Sequence, residues 1–95
     1  MDLTEEQLNE LEEMAAALMP PSDIAFLIHI PIQERELFCE MCKNHVNSQL
    51  FEYYQRGKLR TKYELRKTVI KLAKAGSPAA EPIAEKFMLE QSQKE

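Results

Sequence analysis

The 95-residue chain is 44% hydrophobic and 29% charged, which is one domain's worth of sequence with a thin core, since so short a chain buries only about two-thirds of its unfolded surface. Two glycines and five prolines are too few for a turn-rich β fold, two cysteines exclude a disulfide framework, and no apolar run nears the roughly 20 residues that cross a bilayer. The net charge of −4 hides an asymmetry: residues 1–40 hold ten acids and one base, whereas residues 41–95 hold eleven bases and six acids.

Strong helix formers dominate, and the expected elements are all helices. The first begins after Thr4, where Thr4-Glu5-Glu6-Gln7 fits a capping box. Leu8, Leu11, Ala15 and Leu18 give it an apolar face, and Met19-Pro20-Pro21 ends it. Pro21 or Ser22 opens a second helix, Asp23 to about Ile28, with Ile24, Ala25, Leu27 and Ile28 apolar and His29-Ile30 as the turn before Pro31. A third runs from about Ile32 to Asn44, with Leu37, Phe38, Met41 and Cys42 inward. A fourth covers about 47 to 75, its inner face marked by Leu50, Tyr53, Tyr54, Leu65, Val69 and Leu72. A break or kink is expected near Gly57, which costs about 1 kcal/mol relative to alanine inside a helix. Gly76 suits a left-handed C-terminal position, and Ser77 and Pro78 then cap and start a fifth helix to about Gln91, with Ala80, Ile83, Ala84, Phe87 and Met88 inward. The short turn makes the last two helices an antiparallel hairpin. The fold expected is thus a small all-α bundle in one domain. A helix-turn-helix part spans about 4–45, and a long helix followed by a hairpin forms an assembly part over about 47–91.

Residues 22–41 carry the helix-turn-helix pattern. Ala25 is the small residue where two helices must approach closely, and Ile24, Ile28 and Ile30 form the seam. The next helix would present Gln33 and Arg35 to a partner, beside Glu34 and Glu36, whose charge repels phosphate. His29 stands where glycine is common in such turns. The basic stretch that contains Arg56, Lys58, Arg60, Lys62, Arg66 and Lys67 and continues to Lys71 and Lys74, with Glu64 its only acid, reads equally as a second polyanion surface and as a helix face whose cations stay in water. Cations of this kind contact phosphates rather than bases. Tyr53 and Tyr54 lie at helical spacing between Leu50 and Gly57 and read as core rather than as stacking platforms.

In order, Pro20-Pro21-Ser22-Asp23-Ile24-Ala25, Tyr53-Tyr54-Gln55-Arg56-Gly57-Lys58, Glu64-Leu65-Arg66-Lys67 and Ala73-Lys74-Ala75-Gly76-Ser77-Pro78-Ala79-Ala80 resemble the small DNA-recognition subunits of phage DNA-packaging terminases and related prophage helix-turn-helix proteins. The resemblance spans about residues 20–90. It implies a non-catalytic protein that binds viral double-stranded DNA, self-associates through its hairpin and serves a large motor ATPase. By position, Ser22 to Phe38 would be the DNA-binding element and Leu50 to Phe87 the assembly element. Leu50, Tyr54, Leu65, Val69, Leu72, Ile83 and Phe87 are the candidate oligomerisation residues. An oligomer would place several weak phosphate-binding surfaces on one duplex and convert them into avidity.

Other chemistry is weakly signalled. Cys39, Cys42, His29 and His45 supply zinc-type ligands, but the Cys-x-x-Cys spacing falls in mid-helix rather than on a knuckle, so no metal or other cofactor is expected. There is no Gly-rich phosphate loop and no nucleophile–base order, so no enzyme is expected. The acidic opening Met1-Asp2-Leu3-Thr4-Glu5-Glu6 lacks a secretory signal's basic and apolar segments, which makes the cytoplasm the expected compartment. Two further functions fit the same residues: a protein–protein interaction module without nucleic acid, and a dimeric helix-turn-helix transcriptional regulator.

Overall fold

A computed structural model describes residues 1–94. Among them the structure is all-α, with α1 at Glu5–Ala16, α2 at Pro21–Leu27, α3 at Arg35–Asn44, α4 at Gln49–Lys74 and α5 at Glu81–Lys94. A single 3-10 turn, Ile32–Glu34, leads into α3, so the third helix is regular only from Arg35. No helix among the described residues is long and apolar enough to cross a membrane. The chain divides into two compact units, Met1–Thr61 and the part from Lys62 onward. The division falls inside α4.

Local chemistry explains most helix ends. Thr4 Oγ1 accepts from the Gln7 amide at 3.1 Å, while Gln7 Oε1 accepts from the Thr4 amide at 3.0 Å, completing the capping box. Pro21 stands at the first position of α2, where its missing N–H leaves nothing unpaired. Ser48 caps α4, its hydroxyl accepting from Phe51 N at 3.1 Å and donating to His45 O at 2.9 Å. Three helices end in a left-handed residue closed by paired backbone bonds. Leu18 has φ 64°, His29 φ 63° and Gly76 φ 91°. After α4, Gly76 N donates to Ala73 O and Ser77 N to Leu72 O, both at 3.0 Å, the double bond of a Schellman motif. The same pairing follows α1, from Leu18 N to Ala15 O and Met19 N to Met14 O. Leu18 therefore faces outward after the helix has ended, instead of extending its apolar face. α5 begins at Glu81 rather than Pro78. Ser77 O accepts from the amides of Ala80 and Glu81, so residues 78–80 form a turn and Pro82 sits at the second helical position.

The core of the first unit joins Leu8, Leu11 and Ala15 of α1, Ile24 and Ala25 of α2, Ile28 and Ile30 of the turn, Phe38 and Cys42 of α3, and Leu50 of α4. Phe38, Leu11 and Ile24 are its largest fully buried side chains. Leu37, expected inward, and Leu27, one of the apolar residues of α2, are exposed, because Phe38/Cys42 and Ile24/Ile28 already occupy the buried faces of their helices. Gln7 Nε2 donates to Ile28 O at 3.0 Å, so the capping residue of α1 also fastens the turn between α2 and α3.

α4 does not break at Gly57. That glycine is buried, and a Cβ placed on it would collide with the Glu12 carbonyl oxygen and lie 3.0 Å from both Ala15 Cβ and Ala16 N. The helix needs glycine there because α1 crosses it at backbone contact. One turn on, the Thr61 hydroxyl donates to Ala16 O.

An alanine at 57 gains about 1 kcal/mol of helix propensity but forces the helices apart, a cost typically of about 1–3 kcal/mol. Gly57→Ala is expected to lower the urea midpoint, the opposite of what an isolated helix would do. Gly76→Ala, with nothing within 4 Å, should lose only the roughly 1 kcal/mol of a left-handed alanine. A more stable Gly57→Ala chain would disprove the backbone contact.

Candidate functional site

Each arginine of the basic stretch has an internal partner. Arg56 reaches Glu12 of α1 at 3.4 Å and Glu52 of its own helix at 2.7 Å, with its guanidinium 5.2 Å from the Tyr53 ring centre. Arg60 bridges Glu12 at 3.3 Å and Glu13 at 3.2 Å. Glu12 thus lies between two guanidinium groups with its side chain only 18% exposed. In the second unit Arg66 binds Glu90 at 2.7 Å and stacks 4.2 Å from the centre of the Phe87 ring. Lys67 pairs with Glu64 at 3.3 Å and lies over Tyr63. Lys58, Lys62, Lys71 and Lys74 are exposed, and among the described residues none of them enters an ion pair. The stretch is therefore two populations: arginines that tie helices together, and lysines that stand in solvent.

The helix-turn-helix residues divide in the same way. Gln33 is exposed on the 3-10 turn. Arg35 is turned back: its Nε donates to Ile30 O at 3.0 Å, and its guanidinium lies 5.2 Å from the Phe26 ring centre. A guanidinium bound to the turn's own carbonyl supports that turn instead of reading a base. Two large apolar side chains also stand outward here, Phe26 at 66% and Ile32 at 76% exposure, among the exposed Asp23, Gln33 and Glu36. Nothing in the charge pattern signals this pair. The outward rotation of Phe26, on the side of α2 opposite Ile24 and Ala25, is its only sequence trace.

The two cysteines share α3 and are free thiols. Cys42 is fully buried, and burial first, with Cys39 adding, pushes its thiol up to about 12. Burial also raises the Tyr54 phenol, with Cys42 next to it as the lesser cause. A thiol held protonated this firmly is neither a nucleophile nor a metal ligand at neutral pH. No group of three or more His, Cys, Asp or Glu residues among the described residues could hold a metal ion. The Arg66 hydrogen bond holds the Glu90 carboxyl below the usual carboxylate range.

The residues assigned to assembly separate by unit. Leu50, 4% exposed, belongs to the intrachain core and offers nothing to a second chain. Tyr54 is packed, half-buried, against that core. Leu65, Leu72 and Ile83 are exposed, and Val69 and Phe87 half-buried. From Lys62 onward, Ala80 is the only buried residue among those described, whereas Tyr63, Leu65, Leu72, Met88 and Leu89 are open to solvent. Ile83 and Met88 of α5, expected inward, are exposed, Ile83 away from the groove and Met88 on its open lining. Between α4 and α5 runs a groove of about 780 Å³.

Compared with protein families, curated proteins and solved structures, the chain finds no match.

Because Cys42 keeps its proton in the folded chain to about pH 12 against 9.0 for a solvated thiol, it contributes stability that is fully present below pH 9 and lost as pH rises toward 12. Tyr54 acts in the same direction. Urea midpoints should fall across that window, and less steeply in Cys42→Ala. Iodoacetamide should modify the half-buried Cys39 well before Cys42, and equal rates would refute the buried thiol.

Proposed function

We propose that this chain is a non-catalytic assembly module, in which Met1–Thr61 is the folded body and the α4–α5 hairpin from Lys62 onward is the docking element. The observation that supports it is the hairpin's lack of a core: Ala80 alone is buried there among the described residues. Exposed apolar side chains gathered in a unit without a core of its own point to an interaction site. Helices of this length are marginal on their own in water, so covering the open side chains stabilises the hairpin as well as the complex.

The direct check is dye binding by dilute protein. 1-Anilinonaphthalene-8-sulfonate should fluoresce on the free hairpin, and Ile70→Asp/Met88→Asp should remove most of that signal while leaving the cooperative unfolding of the first unit in place. Unchanged fluorescence in the variant would discard the docking face.

A second reading, the one the resemblance to terminase small subunits implies, makes the chain an adaptor that binds double-stranded DNA and serves a motor ATPase. The exposed lysines support it, because unpaired cations at Lys58, Lys62, Lys71 and Lys74 are available to phosphates. The paired arginines weigh against a strong site. Under this reading duplex binding should be weak and salt-sensitive, and Lys58→Glu/Lys71→Glu should reduce the salt slope by about one per lost contact. No retardation of a duplex at low salt would end this reading and leave the first untouched.

A further inference from the structure

The groove of the second unit has walls of opposite charge. α4 contributes Lys62, Arg66 and Lys74 to one side, and α5 contributes Glu81, Glu85 and Glu90 to the other. Ile70, Ala84 and Met88 line the apolar part between them. One pair, Arg66–Glu90, closes across the groove at 2.7 Å. Lys62, Lys74, Glu81 and Glu85 are exposed and enter no ion pair among the described residues. An occupant that satisfies this groove must bring an apolar ridge, an acidic edge for the α4 side and a basic edge for the α5 side.

We infer that the occupant is a second copy of the same hairpin, related by a two-fold axis parallel to the helices. The inference rests on the docking role proposed above. α4 and α5 are antiparallel and meet at the turn of residues 75–80, so Lys74 and Glu81 lie at the turn end, and Lys62 and Glu90 at the open end. An axis along the helices sets α4 against α5 of the second copy, turn end to turn end. Lys74 then meets the free Glu81 and Glu85 of the second copy, and Lys62 comes to the side of its Glu90, which keeps the bond to Arg66 of its own chain. Every neighbouring pair of helices is antiparallel, as in an up-down four-helix bundle. An axis across the helices would lay α4 on α4 and α5 on α5, with like charges facing. Charge therefore selects one of the two face-to-face arrangements. The contact is isologous: each copy supplies both signs from one surface, so the groove closes on itself and needs no complementary patch elsewhere, as a ring would. A foreign helix would have to reproduce both charged edges at this spacing.

The test is a charge swap on the full chain, read by native mass spectrometry. The wild type should run at twice the 11.0 kDa chain mass. Lys62→Glu/Lys74→Glu makes both walls acidic, and Glu81→Lys/Glu85→Lys makes both basic, so each variant alone should be monomeric. An equimolar mixture should restore a species containing one chain of each mass, which general destabilisation by the substitutions could not do. A wild type that stays monomeric at roughly 100 μM, a ring of three or more, or variants that still pair with themselves would each overturn the two-fold contact. The dye experiment separates the levels of failure. A monomer that binds the dye keeps the docking face and loses the second copy, whereas a monomer that does not bind it loses both.

Discussion

The contact on which the first unit turns is the crossing of α1 over α4 at Gly57. With no side chain at that position, the Glu12 carbonyl rests directly on α4, and Ala15 and Ala16 complete a surface of small groups. Once the two backbones are this close, much else follows from reach. The carboxylates of Glu12 and Glu13 come within 3.2–3.4 Å of the Arg56 and Arg60 guanidinium groups on either side of the glycine. The Thr61 hydroxyl finds the Ala16 carbonyl. Each exposed pair contributes little alone, about 0–1 kcal/mol. Glu12 is different in kind, because two arginines share one largely covered carboxylate. The carboxylates of α1 and the arginines beside Gly57 in α4 are, to that extent, halves of one internal interaction.

That interaction also reorganises the electrostatics available to a partner. A polyanion approaching α4 meets guanidinium groups already neutralised by carboxylates, and would have to displace a bonded partner from each. The lysines stay available, as compact, well-hydrated charges that attract phosphates without geometric selectivity. The turn between α2 and α3 shows the same economy of cations. Two of its carbonyls, Ile28 and Ile30, accept from Gln7 and Arg35, and His29 takes the left-handed conformation that glycine would adopt more readily. Arg35 is thus part of what holds the turn closed, since a hydrogen bond to a charged donor contributes about 1.5–3 kcal/mol. The exposed apolar Phe26 and Ile32 and the exposed carboxylates of Asp23 and Glu36 on this segment are a poor match to a phosphate backbone.

Features written in adjacent residues were legible in the sequence. The Thr4–Gln7 capping box, Pro21 at a helix start, the left-handed Gly76 and the buried stripe of Leu8, Leu11 and Ala15 each depend on neighbours within one or two turns. Gly57 was not legible, because its low helix propensity is local whereas its reason is a helix 41–45 residues earlier in the chain. The ion pairs of Arg56 and Arg60 span 44 to 48 residues, and a run of bases alone cannot reveal that separation. Leu18, Leu27 and Leu37 continue apolar patterns in sequence but face outward, the first because a left-handed residue ended its helix, the others because their helices bury a neighbouring face. Periodicity located Leu65, Val69 and Leu72 as a stripe. Whether a stripe is covered by its own chain is a property of the number of helices around it, which spacing does not encode.

The energetics of the hairpin give that last point its weight. Inside the hairpin the stacking of Arg66 on Phe87 contributes about 0.5–1 kcal/mol at an exposed site, and α4 from Lys62 onward has only 13 residues while α5 has 14. Ordering a residue's backbone costs about 1–2 kcal/mol, and helices this short do not recover it from their own hydrogen bonds. Full burial of a leucine, isoleucine or methionine side chain returns about 1.5–3 kcal/mol, and several such side chains are uncovered. A partner that covers even a few of them outweighs the polar contacts within the hairpin. Under the proposed function, order in this part of the chain and occupancy of its groove are therefore linked: whatever binds the hairpin also stabilises it, by mass action, while the first unit, with its own enclosed core, keeps its fold independently of that balance.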